Sequence, residues 1–261
     1  YYNWLMLLED QYTDEEKLLA LTSITLKDVK AYAKTLYDKV YITGMIHGNW
    51  SGKKARESVD ILLSALGSKS LPESERFEQV VKVIPNGKRT RFSREVEDNN
   101  NSLAYAIQVG EKDFSLLAKA SIIASIVESD FYTQMRTNQQ LGYIVWSFNQ
   151  RIEDRIFFRL VIQSSTHGPF EMSKRVNAWL ASTESLFSKL TDQEFARHQQ
   201  SLIVGLEKEG DSIGAVAGDL YTLATDEEGD FRFKKKLIQA VKDLKKEEVA
   251  QTAGKIFRDP Q

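Results

Sequence analysis

The 261-residue chain carries 35 basic and 37 acidic side chains, a formal charge of -2, with 42% apolar and 28% charged residues. That mix is ordinary for one or two globular domains, and it excludes the net basic footprint that a nucleic-acid or anionic-membrane partner needs. Cysteine is absent, which excludes disulfides and thiolate metal sites, and no run reaches the ~18 apolar residues of a membrane span.

The opening "YYNWLMLLED" has no initiator Met and reads as helix, so the chain is expected to be a piece of a longer polypeptide. In "YTDEEKLLAL", Thr13 stands three residues before Glu16, the spacing of a capping box. "TLKDVKAYAKTLY" places Leu26, Val29, Ala33, Leu36 and Tyr37 at helical spacing. "VYITGMIHGN" reads as a strand, and "SGKKARESVDILLSAL" as a helix with Val59, Leu62, Leu63 and Leu66 on one side. One strand is too few for a sheet, so residues 1–72 read as the mainly helical last part of a preceding domain. Residues 73–87, with two prolines near at hand and a charged run, read as the linker.

Residues 88–261 read as a complete α+β domain, an antiparallel or mixed sheet carrying helices on one face. Strands are expected at "KRTRFSREVE" and "SLAYAIQVG", then a helix capped by Asp113 with Leu116, Ala120, Ile123, Val127, Phe131 and Met135 on its buried side. "GYIVWSFNQ" and "RIFFRLVIQSS", joined by "RIED", form a hairpin. The rest is helical, including one long helix over 170–190 and a second capping box, Thr191 with Glu194.

Alternation gives each hairpin strand one apolar and one mixed face. Ile144, Trp146 and Phe148, with Ile156, Phe158, Leu160 and Ile162, are expected against the helices. Tyr143, Ser147, Asn149, Arg159 and Gln163 are expected on the other face, free for water or a ligand. Just before it, "RTNQQLGYIVW" sets Arg136 at a helix end and Tyr143 at a strand start. Five fixed donors and a phenol could hold the carbonyl oxygens of an extended peptide. A cation at a helix C-terminus and a tyrosine in a strand are also plain structural choices.

Recognisable catalytic chemistry is missing. His47, His167 and His198 stand alone, with neither H-x-x-E-H nor H-E-x-x-H, and there is no phosphate loop and no G-x-S-x-G. The lysines at 234–236, 242, 245 and 246 are interleaved with acids and read as a solvated face.

"FYTQMRTNQQLGYIVWS" resembles a signature in the C-terminal half of the insulinase/pitrilysin family of inverted zinc metallopeptidases, approximately R-T-x-x-Q-L-G-Y-x-V. Arg136, Thr137, Gln140, Leu141, Gly142, Tyr143 and Val145 match it. The resemblance covers nearly the whole chain. It implies four similar α+β domains in two bowl-shaped halves around a closed chamber, with zinc and H-x-x-E-H in the first domain. It makes this chain the end of the third domain plus the fourth, without zinc and inactive alone, closing the chamber and helping to anchor the substrate. Contact with the bound peptide falls on Arg136 and Tyr143. Ser147, Arg159 and Gln163 are expected as chamber lining from strand parity, not from the resemblance. The implied partners are the N-terminal catalytic half and peptide substrates, with a homodimer left open and no nucleic acid or membrane. A non-catalytic scaffold subunit, or one half of a two-polypeptide enzyme, are the alternatives. A soluble protein of periplasm or cytoplasm suits equally.

Overall fold

The computed structural model describes residues 2–85 and 87–258. Tyr1, Asn86 in the expected linker and 259–261 at the end of the expected domain lie outside them. In chain order the elements are α1 (Tyr2–Leu7), α2 (Asp14–Leu21), α3 (Leu26–Thr35), β1 (Lys39–Val40), α4 (Gly52–Leu66) and β2 (Lys69–Ser70). There follow β3 (Asn101–Glu111), α5 (Phe114–Tyr132), β4 (Ile144–Ile152), β5 (Arg155–Ser164), α6 (Pro169–Ser182) and α7 (Glu184–Ser188). The chain ends with α8 (Asp192–Glu207), α9 (Ile213–Thr225), α10 (Phe233–Asp243) and α11 (Lys246–Arg258). Two compact units result. One takes the described parts of Tyr1–Leu8, Val81–Lys208 and Lys234–Gln261, the other Glu9–Val80 and Glu209–Phe233.

The larger unit is built on an antiparallel sheet in the order β3-β5-β4. Its helix-facing side chains include Ile107, Val145, Phe158, Leu160 and Ile162, all buried. Helix α5 starts where Asp113 accepts a hydrogen bond from the Leu116 amide at 2.8 Å. It buries Ala120, Ile123, Val127 and Phe131 as the periodicity predicts, while Leu116 in the first turn is only half-buried. Aromatic rings knit the helices together: Phe158 meets Phe257 edge-on at 5.0 Å and Phe131 meets Trp179 at 4.7 Å. The Trp179 indole donates to Asp130 at 2.7 Å, which satisfies its one polar atom. Thr191 and Glu194 form the expected capping box of α8. On the second face of the sheet, near the hairpin turn, Phe157 packs with Leu7, Leu8, Val81 and Ile152.

The register overturns one expectation. Ile152 pairs with Arg155 across a two-residue turn, so even-numbered residues of β4 share a face with odd-numbered residues of β5. Ile144, Trp146 and Phe148 therefore lie with Gln163, Val161 and Arg159 on the second face. Val145, Ser147 and Asn149 lie with Ile162, Leu160 and Phe158 against the helices. Trp146, expected in the core, is 57% exposed, and Ser147 is buried. Parity inside each strand was readable; relative parity depended on the turn length.

Three local expectations also change. Residues 88–97 are exposed and form no strand, and of "VYITGMIHGN" only Val40 joins a ladder, as part of the parallel pair β1–β2. β-Propensity alone supplies no neighbour for the remaining backbone groups. The helix expected over 170–190 breaks at Thr183, whose hydroxyl bonds back to the Leu180 carbonyl at 2.7 Å.

The smaller unit holds α2, α3, α4, the β1–β2 pair and α9. Thr13 with Glu16 and Thr25 with Asp28 close capping boxes. No residue of α2, α3 or α4 is buried, and Leu19, Leu26 and Ile61 are at least two-thirds exposed (72%, 68% and 70%).

Phe158 fills the centre of the aromatic cluster, so Phe158→Ala is expected to lower unfolding stability by about 3–5 kcal/mol. Trp146→Ala is expected to cost far less. Urea unfolding of both variants checks the face assignment, because a Trp146 packed against the helices would give a similar loss.

Candidate functional site

The last turn of α5 widens into a π-helical turn, Thr133–Asn138, in which the Gln139 amide donates to the Gln134 carbonyl at 3.1 Å. The Leu141 amide reaches back to the Met135 carbonyl at 2.9 Å, and both side chains are fully buried. Gln140 between them has a left-handed φ of 51°. The chain then runs against the end of β5. A Cβ on Gly142 would lie 1.8 Å from the Gln163 carbonyl oxygen, so only glycine fits.

This corner brings Arg136 and Tyr143 together. The Arg136 guanidinium donates to the Gly142 carbonyl at 2.6 Å. It lies 4.7 Å from the Tyr143 ring centroid and 5.9 Å from that of Tyr132. Stacking of this kind contributes about 0.5–1 kcal/mol at an exposed site and orders both side chains before any ligand arrives. Arg136 is half-buried, while Tyr143 is 84% exposed and turns its hydroxyl-bearing ring outward. The plain structural use of Arg136 is real, since one donor holds the corner. Its other N–H groups and the Tyr143 hydroxyl can meet carbonyl oxygens.

The other three expected residues divide. Gln163 sits beside the corner, paired with Ile144. Arg159 lies further along the same face of β5 and is buried, which pushes its guanidinium below the usual arginine value. Ser147 is on the opposite face, its Oγ without a partner. It lines a cavity of about 530 Å³ between α5 and β4 together with Ser125, Ser129 and Tyr132. Ser147 does not share a surface with Arg159 and Gln163.

His198, read as a lone histidine, meets the Ser125 hydroxyl through Nδ1 at 2.8 Å. The contact lies at a cavity of about 800 Å³ that Asp130, Lys189 and Arg197 also line. Burial, then the Arg197 charge, push His198 below the ordinary imidazole value. No carboxylate is hydrogen-bonded to its other nitrogen among the described residues, so the orienting partner of an activated serine is missing. Nor do the described residues hold a group of three His, Cys, Asp or Glu that could bind a metal ion. No helix among them is long and apolar enough to cross a membrane.

A family model described as PQQ synthase PqqF-like, C-terminal lobe domain 4, matches residues 122–220. The chain is 27% identical over 258 residues to a nardilysin-like protein of Arabidopsis thaliana, covering 95% of this chain and 25% of that protein. It is 26% identical over 257 residues to protease 3 of Salmonella typhi, covering 96% of this chain and 26% of that protein. The crystal structure of pitrilysin matches with a TM-score of 0.80 at 25% identity, over 95% of this chain and 26% of that one. Fold and sequence matches together make this chain similar to a C-terminal lobe domain. The chain matches the C-terminal part of insulinase/pitrilysin-family proteins and spans about a quarter of the length of the curated relatives it matches.

Gly142→Ala is expected to lower stability by about 2 kcal/mol or more, because backbone and not a flexible side chain must move. Differential scanning calorimetry measures it. For His198 the folded value is the lower one. The stability contributed by its neutral form is fully present above about pH 6.5, the unfolded value, and is lost as pH falls through the folded value. Melting temperatures from pH 7.5 to 5 are expected to fall less steeply in His198→Gln than in the parent chain.

Proposed function

We propose that this chain is the zinc-free C-terminal part of a zinc metalloendopeptidase, which closes the proteolytic chamber and anchors the backbone of the peptide substrate. The observation that carries the reading is the pre-stacked Arg136–Tyr143 pair on a corner that Gly142 alone permits. In this reading the remaining Arg136 donors and the Tyr143 hydroxyl hold main-chain carbonyls, without selecting side chains. Holding the peptide lowers the entropic part of the barrier. The zinc and its ligands belong to an upstream half, which is also the main partner, and this chain alone is inactive. Residues 1–72 end the preceding domain, 73–87 link, and 88–261 form the last domain. The uncovered stripe Leu26, Val29 and Tyr32 on α3, continued by Leu36 at its C-cap, supports a core completed by upstream chain.

In the whole parent enzyme, Tyr143→Phe keeps the ring stack and removes the hydroxyl alone. Arg136→Ala removes both the stack and the hold on Gly142. Both are expected to lower kcat/KM for a quenched-fluorescent peptide by roughly tenfold or more, with normal zinc content. Unchanged kinetics in both variants would end the anchoring role.

A further inference from the structure

The second face of the sheet contains a buried cation with no partner. Arg159 keeps only 6% of its surface exposed, and its Nε is fully buried without a hydrogen bond. No ion pair or hydrogen bond joins its guanidinium to any described residue. The register shows why. Directly across lie Ala106 on β3 and Phe148 on β4, and Phe157 and Val161 are its same-face neighbours on β5. None brings an acid. Glu111, at the far end of the face, is held by Arg155 at 3.0 Å. A buried guanidinium stays charged, and leaving it unpaired is costly. Proteins tolerate such an arrangement where a ligand supplies the missing charge.

The surroundings describe that ligand. On the β3 side the neighbours are small, Ala104 and Ala106, and on the β4 side they are aromatic, Phe148 and the largely exposed Trp146. Ala106 is packed against the Leu7 and Val81 cluster, whereas Ala104 and Trp146, the next neighbours toward Gln163, are exposed, so an extended chain can approach the guanidinium from that end. The fork of the guanidinium matches a planar carboxylate, with two parallel hydrogen bonds.

We propose that Arg159 is the centre of an anion subsite on the second face of the sheet, taking a carboxylate of a bound peptide, either its C-terminus or an Asp or Glu side chain. The subsite rests on the peptide-anchoring reading above and adds a preference to it. Arg136 and Tyr143 hold any backbone, whereas Arg159 selects acidic peptides.

The test uses the whole parent polypeptide with chelator present, so that peptides bind without being cleaved. A fluorescein-labelled neutral decapeptide is made with a free C-terminal acid, with a C-terminal amide, and as the amide with one central Glu. Fluorescence anisotropy is expected to show at least one acidic version binding roughly tenfold more tightly than the neutral amide. Which of the two does so tells terminus from side chain. Arg159→Gln is expected to abolish the preference and leave affinity for the neutral amide unchanged. Arg159→Lys, which keeps the charge and loses the fork, is expected to retain part of it. Arg159→Gln is expected to fold with a melting temperature at or above that of the unaltered protein, because it removes an unpaired buried charge. Equal binding of all three peptides, or a preference that survives in Arg159→Gln, overturns the subsite and leaves backbone anchoring standing. Absence of binding by every peptide overturns both. Inhibition by inorganic phosphate through Arg159, with no discrimination among the peptides, overturns the carboxylate assignment.

Discussion

Strand β5 is hydrogen-bonded along both edges and buried on both faces from Ile156 to Leu160, and its pairing with β4 decides what each nearby group can do. The pairing is set by a turn of only two residues, Glu153 and Asp154. One residue more or less would carry Ser147 to the second face and Trp146 into the helices. On the second face of β5, Phe157 and Arg159 are buried, whereas Val161 and Gln163 toward its end are partly exposed. A phenylalanine there is free to join a hydrophobic cluster, as Phe157 does. An arginine there becomes a buried charge, and that makes Arg159 a functional question instead of a surface detail.

The corner after α5 depends on the same strand. The Gln163 carbonyl leaves no room for a side chain on Gly142. The widened turn and the buried pair Met135 and Leu141 bring the chain to that carbonyl at the required angle. Each apolar member of the family signature thus has a structural duty, and the polar members are carried along by it. Arg136 both braces the corner and stacks on Tyr143, so it is ordered whether or not a peptide is present. Pre-ordering of this sort reduces the entropy lost when a ligand binds.

The two units differ in how they are held. Around the sheet, edge-to-face aromatics, a satisfied tryptophan and capped helices close a continuous core. In the other unit the helices are well capped, yet α2, α3 and α4 bury none of their apolar residues. Caps define where a helix begins but supply little of the stability that comes from packing an apolar face. Local signals and tertiary burial are independent, and these three helices show the first without the second.

The sequence by itself determined α5 and α8 of the larger unit, their capping by Asp113 and Thr191, the hairpin, and the signature from Arg136 to Val145. These are local properties, written in periods of 3.6 or 2 residues and in side chains that bond to nearby backbone. It also put Arg136 and Tyr143 in one short stretch, although not the ring stack that joins them. Only the tertiary structure decided which face of β4 meets the helices, that residues 88–97 join no strand, and that Ser147 and Arg159 point to opposite sides. Alternation fixes faces within a strand. The relation between two strands is set by the turn and by the partners on each side, and neither is written in either strand alone.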